Sequence, residues 1–149
     1  MTTSNHLYAG ATIALTVQSP LVALPAALLS HFLLDALPHY GYPGRGGYAE
    51  AFNYRATYFM ESVNLVGVPL LLYLLWGKPW WVWAAAFLAL APDLVWVYRY
   101  VAYERKGWLP IGSLFTRFHN KIQWGEYTWG ILIEVPVFVL LAMMLTEMV

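Results

Sequence analysis

Apolar residues fall in runs too long and too charge-poor for an ordinary soluble core, and those runs decide what this chain can fold into. His6 to Val17 is apolar and rich in small residues, and Gln18-Ser19-Pro20 then punctuates it as a turn. Leu21 to Leu37, with Pro25 near its start, ends at Pro38 and the glycine-rich segment Gly41 to Gly47, whose spacing fits no phosphate-binding loop. Ala56 to Trp76 leads into the turn Gly77-Lys78-Pro79, Trp80 to about Val101 forms the fourth run, and Thr128 to Met144 the fifth. Only 11% of the 149 residues are charged, against about 25% in a typical soluble domain. A hydrocarbon core of about 30 Å asks for roughly 20 helical residues. The first run, roughly 18 Å long at about 1.5 Å per residue, is short for that and reads as a short or re-entrant element. The pattern predicts one domain over 1–149: an all-α integral membrane protein with about five membrane-embedded helices. No internal repeat is evident.

Basic residues orient these spans. Arg45, Arg55, Arg99, Arg105, Lys106, Arg117 and Lys121 share one side with the N-terminus, leaving only Lys78 of the eight lysines and arginines on the other. By the positive-inside rule that side is cytoplasmic, and a bacterial plasma membrane is the expected location. No cleavable signal peptide is expected, because a basic leading segment is lacking and the first apolar run passes into a turn. Trp76, Trp80, Trp81 and Trp83 mark the outer interface, and Trp96, Trp108, Trp124 and Trp129 the inner one. Between Ser113 and Gln123, Leu114, Phe115, Phe118 and Ile122 form a stripe opposite Arg117, Asn120 and Lys121. That stretch is predicted to be an amphipathic helix on the inner membrane surface, separated from the last span by Gly125. Net charge is zero, which argues against a nucleic-acid partner. The lack of cysteine excludes disulfides, thiolate nucleophiles, iron–sulfur clusters and cysteine-ligated zinc.

Four of the eight acidic residues, Asp35, Glu61, Asp93 and Glu134, lie within apolar runs with no lysine or arginine at mid-span. A charged side chain at the bilayer centre costs about 2.5–3.5 kcal/mol on insertion scales. These acids must then be protonated, paired with a cation, or open to water. His31, Asp35 and His39 recur at spacings of four, which on a continuous helix puts all three on one face. Glu61 and Asp93 fall in the cytoplasmic halves of their spans, His6 opens the first element, and His119 lies on the amphipathic helix. Glu126 opens the last run, with Gly130 and Glu134 following at spacings of four. All four histidines and the buried acids therefore gather towards the cytoplasmic side. A histidine–carboxylate set without sulfur suits a divalent ion, Zn²⁺ foremost, with Mn²⁺ and Fe²⁺ also compatible. The chemistry that follows is activation of water towards an ester or phosphoester, with Glu61 or Glu134 available as general base.

The segment Ser30-His31-Phe32-Leu33-Leu34-Asp35-Ala36-Leu37-Pro38-His39, together with Asn5-His6, Gly10 and Ala91-Pro92-Asp93, resembles the small bacterial membrane-bound metal-dependent hydrolases. Those proteins are distantly similar to zinc-dependent phospholipases C, which also use a His and an Asp four apart as ligands. The resemblance covers about two thirds of the chain and is specific only over His31–His39. It implies His6, His31, Asp35, His39 and Asp93 as metal ligands, and His119 by analogy. The family commonly carries a His-Arg-Gly-x-Thr-His stretch, where this chain has Phe118-His119-Asn120-Lys121.

The reading is then a membrane hydrolase of a lipid or phosphorylated amphiphile at the cytoplasmic face, with Arg45, Arg55, Arg99 or Arg117 as phosphate holders. A hydrogen-bonded polar seam between helices is the structural alternative for the same residues. Two other functional classes fit the composition. An ion or proton pathway would use the buried acids, although the outer half offers no polar ladder. A haem-binding carrier would use the histidines as axial ligands. A retinal-type receptor is excluded, since Lys78, Lys106 and Lys121 all lie in loops.

Overall fold

The computed structural model describes residues 1–40, 54–95 and 113–149. Six helices account for most of these: α1 (Thr3–Val17), α2 (Pro20–Asp35), α3 (Tyr54–Leu74), α4 (Trp80–Leu90), α5 (Ser113–Ile122) and α6 (Ile131–Met148). Single 3-10 turns follow α4, at Ala91–Asp93, and precede α6, at Thr128–Gly130. Among the described residues α6 alone is long and apolar enough to cross a membrane, while Pro20–Asp35 and Ser62–Leu74 are shorter apolar helices.

Local chemistry explains where the helices start and stop. α1 ends as Gln18 turns left-handed at φ 54°, its N–H still donating to Ala14 O at 3.0 Å. α2 begins with Pro20 in its first turn, where the missing N–H costs nothing. α2 stops at Asp35 rather than Leu37, because Pro38 disfavours helical backbone at Leu37. Pro92 acts similarly on α4, which gives way to the 3-10 turn after Leu90. The fourth run predicted to reach about Val101 therefore changes conformation near Leu90, and its part beyond Val95 lies outside the described residues.

One feature has no counterpart in the sequence reading. His39–Tyr40 (β1) pairs in parallel with Glu126–Tyr127 (β2), His39 opposite Glu126 and Tyr40 opposite Tyr127. Glu126 thus belongs to an extended pair and does not open the last helix. Gly130 lets β1 cross the start of α6, since a Cβ there would run into the backbone of His39 and Tyr40.

α1 is the centre of the bundle, packed by α4, α2, α6 and α3. The contacts use small side chains: Ala11, Ala14, Ala23, Ala27, Ala85 and Ala89 are all fully buried. Gly10 takes this furthest, for a Cβ there would meet the Ala85 carbonyl and the Ala86 Cα. Small residues let helix backbones approach closely and gain dispersion contacts over their whole length. Tyr8, Leu71, Leu75, Val82 and Leu145 fill the wider gaps. Polar ties fix α3 to α1: Tyr8 Oη donates to Gly67 O at 2.9 Å and Ser4 Oγ to Asn64 Oδ1 at 3.0 Å. The outer surfaces, by contrast, are apolar, with Leu21, Leu65, Trp76 and Leu132 each more than 70% exposed.

Candidate metal centre

Four elements deliver side chains to one point at the end of the bundle. His6 comes from the first turn of α1, His31 and Asp35 from the last turn of α2, Asp93 from the 3-10 turn after α4, and His119 from α5. The i, i+4 spacing on α2 brings His31 Nε2 to 3.2 Å from Asp35 Oδ2. Pro92, by ending α4, turns the next residue's carboxylate towards the same place: Asp93 Oδ1 is 3.7 Å from His31 Nε2 and 3.9 Å from His119 Nε2. The apolar side of α5 rests on Phe32 of α2, whose ring meets Phe115 and Phe118 edge-on. That docking presents His119 Nε2 to Asp35 Oδ2 at 3.0 Å. His6, His31, Asp35 and His119 are buried, and Asp93 alone of the five retains some exposure, 25%.

Proton bookkeeping at His31 is decisive. Its Nδ1 lies 2.8 Å from Ala89 O, and a carbonyl only accepts, so Nδ1 carries the proton. The neutral ring then presents a bare lone pair at Nε2. That lone pair faces His119 Nε2 at 3.1 Å and oxygens of two carboxylates. Electron-rich atoms converging in a buried space repel unless a cation or extra proton lies among them. Donor atoms on a four-coordinate zinc, at bonds of about 2.0–2.2 Å, lie roughly 3.3–3.6 Å apart. The histidine–carboxylate and histidine–histidine separations, 3.0 to 3.9 Å, bracket that spacing. His31, Asp35, Asp93 and His119 could together hold a metal ion, offering one donor atom each, all within 4.8 Å of one another. The Ala89 carbonyl would supply the outer hydrogen bond that orients such a ligand.

His6, in contact with this set but not one of the four, has Nε2 at 3.2 Å from Asp35 Oδ1 and 3.7 Å from Asp93 Oδ2. Its ring stacks on His31 with centroids 4.2 Å apart. Its Nδ1 has no hydrogen-bond partner among the described residues. Two further donors reach Asp35 besides the predicted residues. Gln123 Nε2 reaches Oδ2 at 3.1 Å, and the Met1 amino group reaches Oδ1 at 2.8 Å. Gln123 follows His119 by four residues, a helical spacing that could have flagged it; nothing in the sequence points to the amine.

Two predicted site residues are not brought to this point. His39 would share a face with His31 and Asp35 only if the helix continued, and α2 ends at Asp35. Instead, His39 Nδ1 bonds its own segment at Leu37 O, 2.9 Å away, and its N–H donates to Gly125 O. Burial, followed by the charge of the Met1 amine, pushes the His39 imidazole below its usual range. Glu134 is buried with both carboxylate oxygens engaged, Oε1 accepting from Thr2 N and Oε2 from Tyr40 N at 3.0 Å. It anchors the start of α1 and β1 to α6. The Glu61 side chain and residues Arg45, Arg99, Arg105 and Lys106 lie outside the described part of the molecule, as does the Arg55 side chain. Arg117 is exposed on α5. No family model, curated protein or solved structure matches the chain.

Proposed function

We propose that this protein is a membrane-embedded, metal-dependent hydrolase that cleaves an ester or phosphoester of a lipid or phosphorylated amphiphile at the cytoplasmic face. The observation that carries the reading is the convergence of His31 Nε2 and His119 Nε2 on two carboxylates 3.0 to 3.9 Å away, with His31 Nδ1 taken by the Ala89 carbonyl. Histidine nitrogens and carboxylate oxygens without sulfur suit Zn²⁺, Mn²⁺ or Fe²⁺. When bound, such an ion supplies a Lewis acid and an activated water at neutral pH.

The chain's own residues contribute position and access. Ala89 O orients His31, Gln123 holds Asp35, and Glu134 fixes the segments that begin α1 and follow α2. Asp93, the partly exposed member, marks the side from which a substrate approaches. Membrane residence is supported by α6, which is strongly apolar yet has only 11% of its residues buried. Leu132, Val139, Leu140 and Met143 on that helix face outward, an arrangement that lipid or a partner must cover.

The reading is tested with the detergent-purified chain and mixed vesicles containing phosphatidic acid and phosphatidylcholine. Release of phosphate or headgroup is expected, abolished by a chelator, restored by Zn²⁺ or Mn²⁺, and reduced at least about 10²-fold by His31→Ala. Hydrolysis that persists through complete metal removal would overturn it.

A further inference from the structure

α5 turns two different faces to its surroundings. His119 and, one turn on, Gln123 lie on one side and reach Asp35 Oδ2 at 3.0 and 3.1 Å. Phe115 and Ile122 are half-buried on that side, and Phe115 meets the Phe32 ring of α2. Leu114 and Phe118, also four residues apart, remain 79% and 53% exposed. Arg117 and Lys121 adjoin them, are exposed too, and have no ion-pair partner among the described residues. At about 100° per residue these last four span an arc of roughly 100°. The apolar stripe expected on this helix is therefore split: Phe115 and Ile122 serve the bundle, while Leu114 and most of Phe118 face outward between cations.

We propose that Leu114, Arg117, Phe118 and Lys121 form a seat for anionic lipid headgroups, and that lipid bound there tightens metal at the centre by holding His119 in place. This rests on the metal-centre reading above. Charge and chemistry select the occupant. Apolar side chains flanked by cations suit a surface whose acyl chains lie beneath phosphates, with the Arg117 and Lys121 stems laid along the apolar part. Trp124, just beyond α5, and Trp129 are exposed at the same end of the bundle, and an indole favours that headgroup depth. A second copy of the chain offers no such match. Among the described side chains the exposed carboxylate, Glu147, sits near the far end of α6. The coupling follows from length. An isolated helix of ten residues is marginal in water, so α5 keeps its shape through what covers its two faces. An ion joining His119 to Asp35 holds one face and lipid the other; both stabilise the same helix, and each tightens the other.

The test places the full chain in nanodiscs of phosphatidylcholine, alone or mixed equally with phosphatidylglycerol, and measures Zn²⁺ affinity by competition with a chromophoric chelator. Affinity roughly 5- to 30-fold tighter in the anionic discs is expected, with the gain lost in Arg117→Gln/Lys121→Gln. A gain that persists in this double variant overturns the assignment to these cations. Equal affinity in the two discs overturns the coupling and leaves the hydrolase reading standing, whereas no bound Zn²⁺ in either removes both. Glycerol phosphate added to the neutral discs separates a lipid seat from a phosphate entering the centre: no gain is expected, and one as large as with anionic lipid overturns the seat. Because the chain has no cysteine, Leu114→Cys accepts a single fluorescent label. Quenching of that label by lipid-borne quenchers is expected; quenching by a water-soluble agent alone overturns the lipid contact.

Discussion

The two ends of the helix bundle are built on different principles. At one end α1 and α6 begin and α2 and α4 finish; what separates it from the other end is the chemistry of what is buried there. Around Asp35 the bundle buries three imidazoles, a carboxylate and the Met1 amine. Towards Leu75 and Leu145 it buries mainly apolar side chains, and polar contacts there, such as Lys78 Nζ to Val149 O at 3.3 Å, are exposed. The apolar end shows that this scaffold closes by alanine and leucine packing alone. At the other end Glu134 ties α1 and β1 to α6, while the imidazoles and carboxylate around Asp35 carry a desolvation cost that a bound cation would offset.

Substitutions at the two ends should separate stability from metal binding. Asp35→Ala is the most damaging: it strands three imidazoles and the Met1 amine, and breaking buried pairs of this kind costs about 3–5 kcal/mol. Thermal unfolding in detergent should reveal this loss, and elemental analysis a chain without metal. Leu75→Ala, at the other end, should cost about 2–5 kcal/mol by opening a cavity yet keep its full metal content, a dissociation of the two readouts that Asp35→Ala does not allow. Loss of metal from this variant would show that the ends are not independent.

Removing the ion from the wild type should have a smaller, reversible effect. An ion present at 100 times its dissociation constant stabilises by about 2.7 kcal/mol, so chelation should lower the melting temperature and Zn²⁺ should restore it. Acidification acts in the same direction. Coordination requires neutral imidazoles, so metal retention should fall as the solution is acidified, as followed by equilibrium dialysis. Gln123→Ala should be mildest, weakening metal affinity by about 10–100-fold, as expected for a residue that orients a ligand, with little change in the melting of the metal-loaded chain. An unchanged affinity would show that the Gln123 bond to Asp35 does not orient it.

Much of the helical layout is legible because prolines and glycines punctuate it: Pro20 opens α2, Gly77 and Pro79 precede α4, and the stripe through Leu114, Phe115, Phe118 and Ile122 gives α5. The site is legible in part for the same reason, since His31 and Asp35 follow helical spacing. Spacing misleads where the backbone changes conformation or the partner is distant in sequence. His39 continues the spacing of four but lies beyond Pro38, where the helix has already ended. Glu134 looks like a free acid in an apolar run, yet its oxygens are taken by backbone N–H groups of Thr2 and Tyr40, which are distant in sequence and carry no compositional signal. The β1–β2 pair is two residues long on each side, too short for any alternation to register.

Metal content of the wild type beside Asp35→Asn, both purified without chelator or immobilised-metal columns, tests the central claim most directly. This isosteric change keeps the side chain's volume while removing its charge. At least one equivalent of Zn²⁺, Mn²⁺ or Fe²⁺ per wild-type chain, lost in Asp35→Asn, is the predicted result. A wild type with no metal above background after incubation with these ions, or equal loading of both proteins, would contradict it.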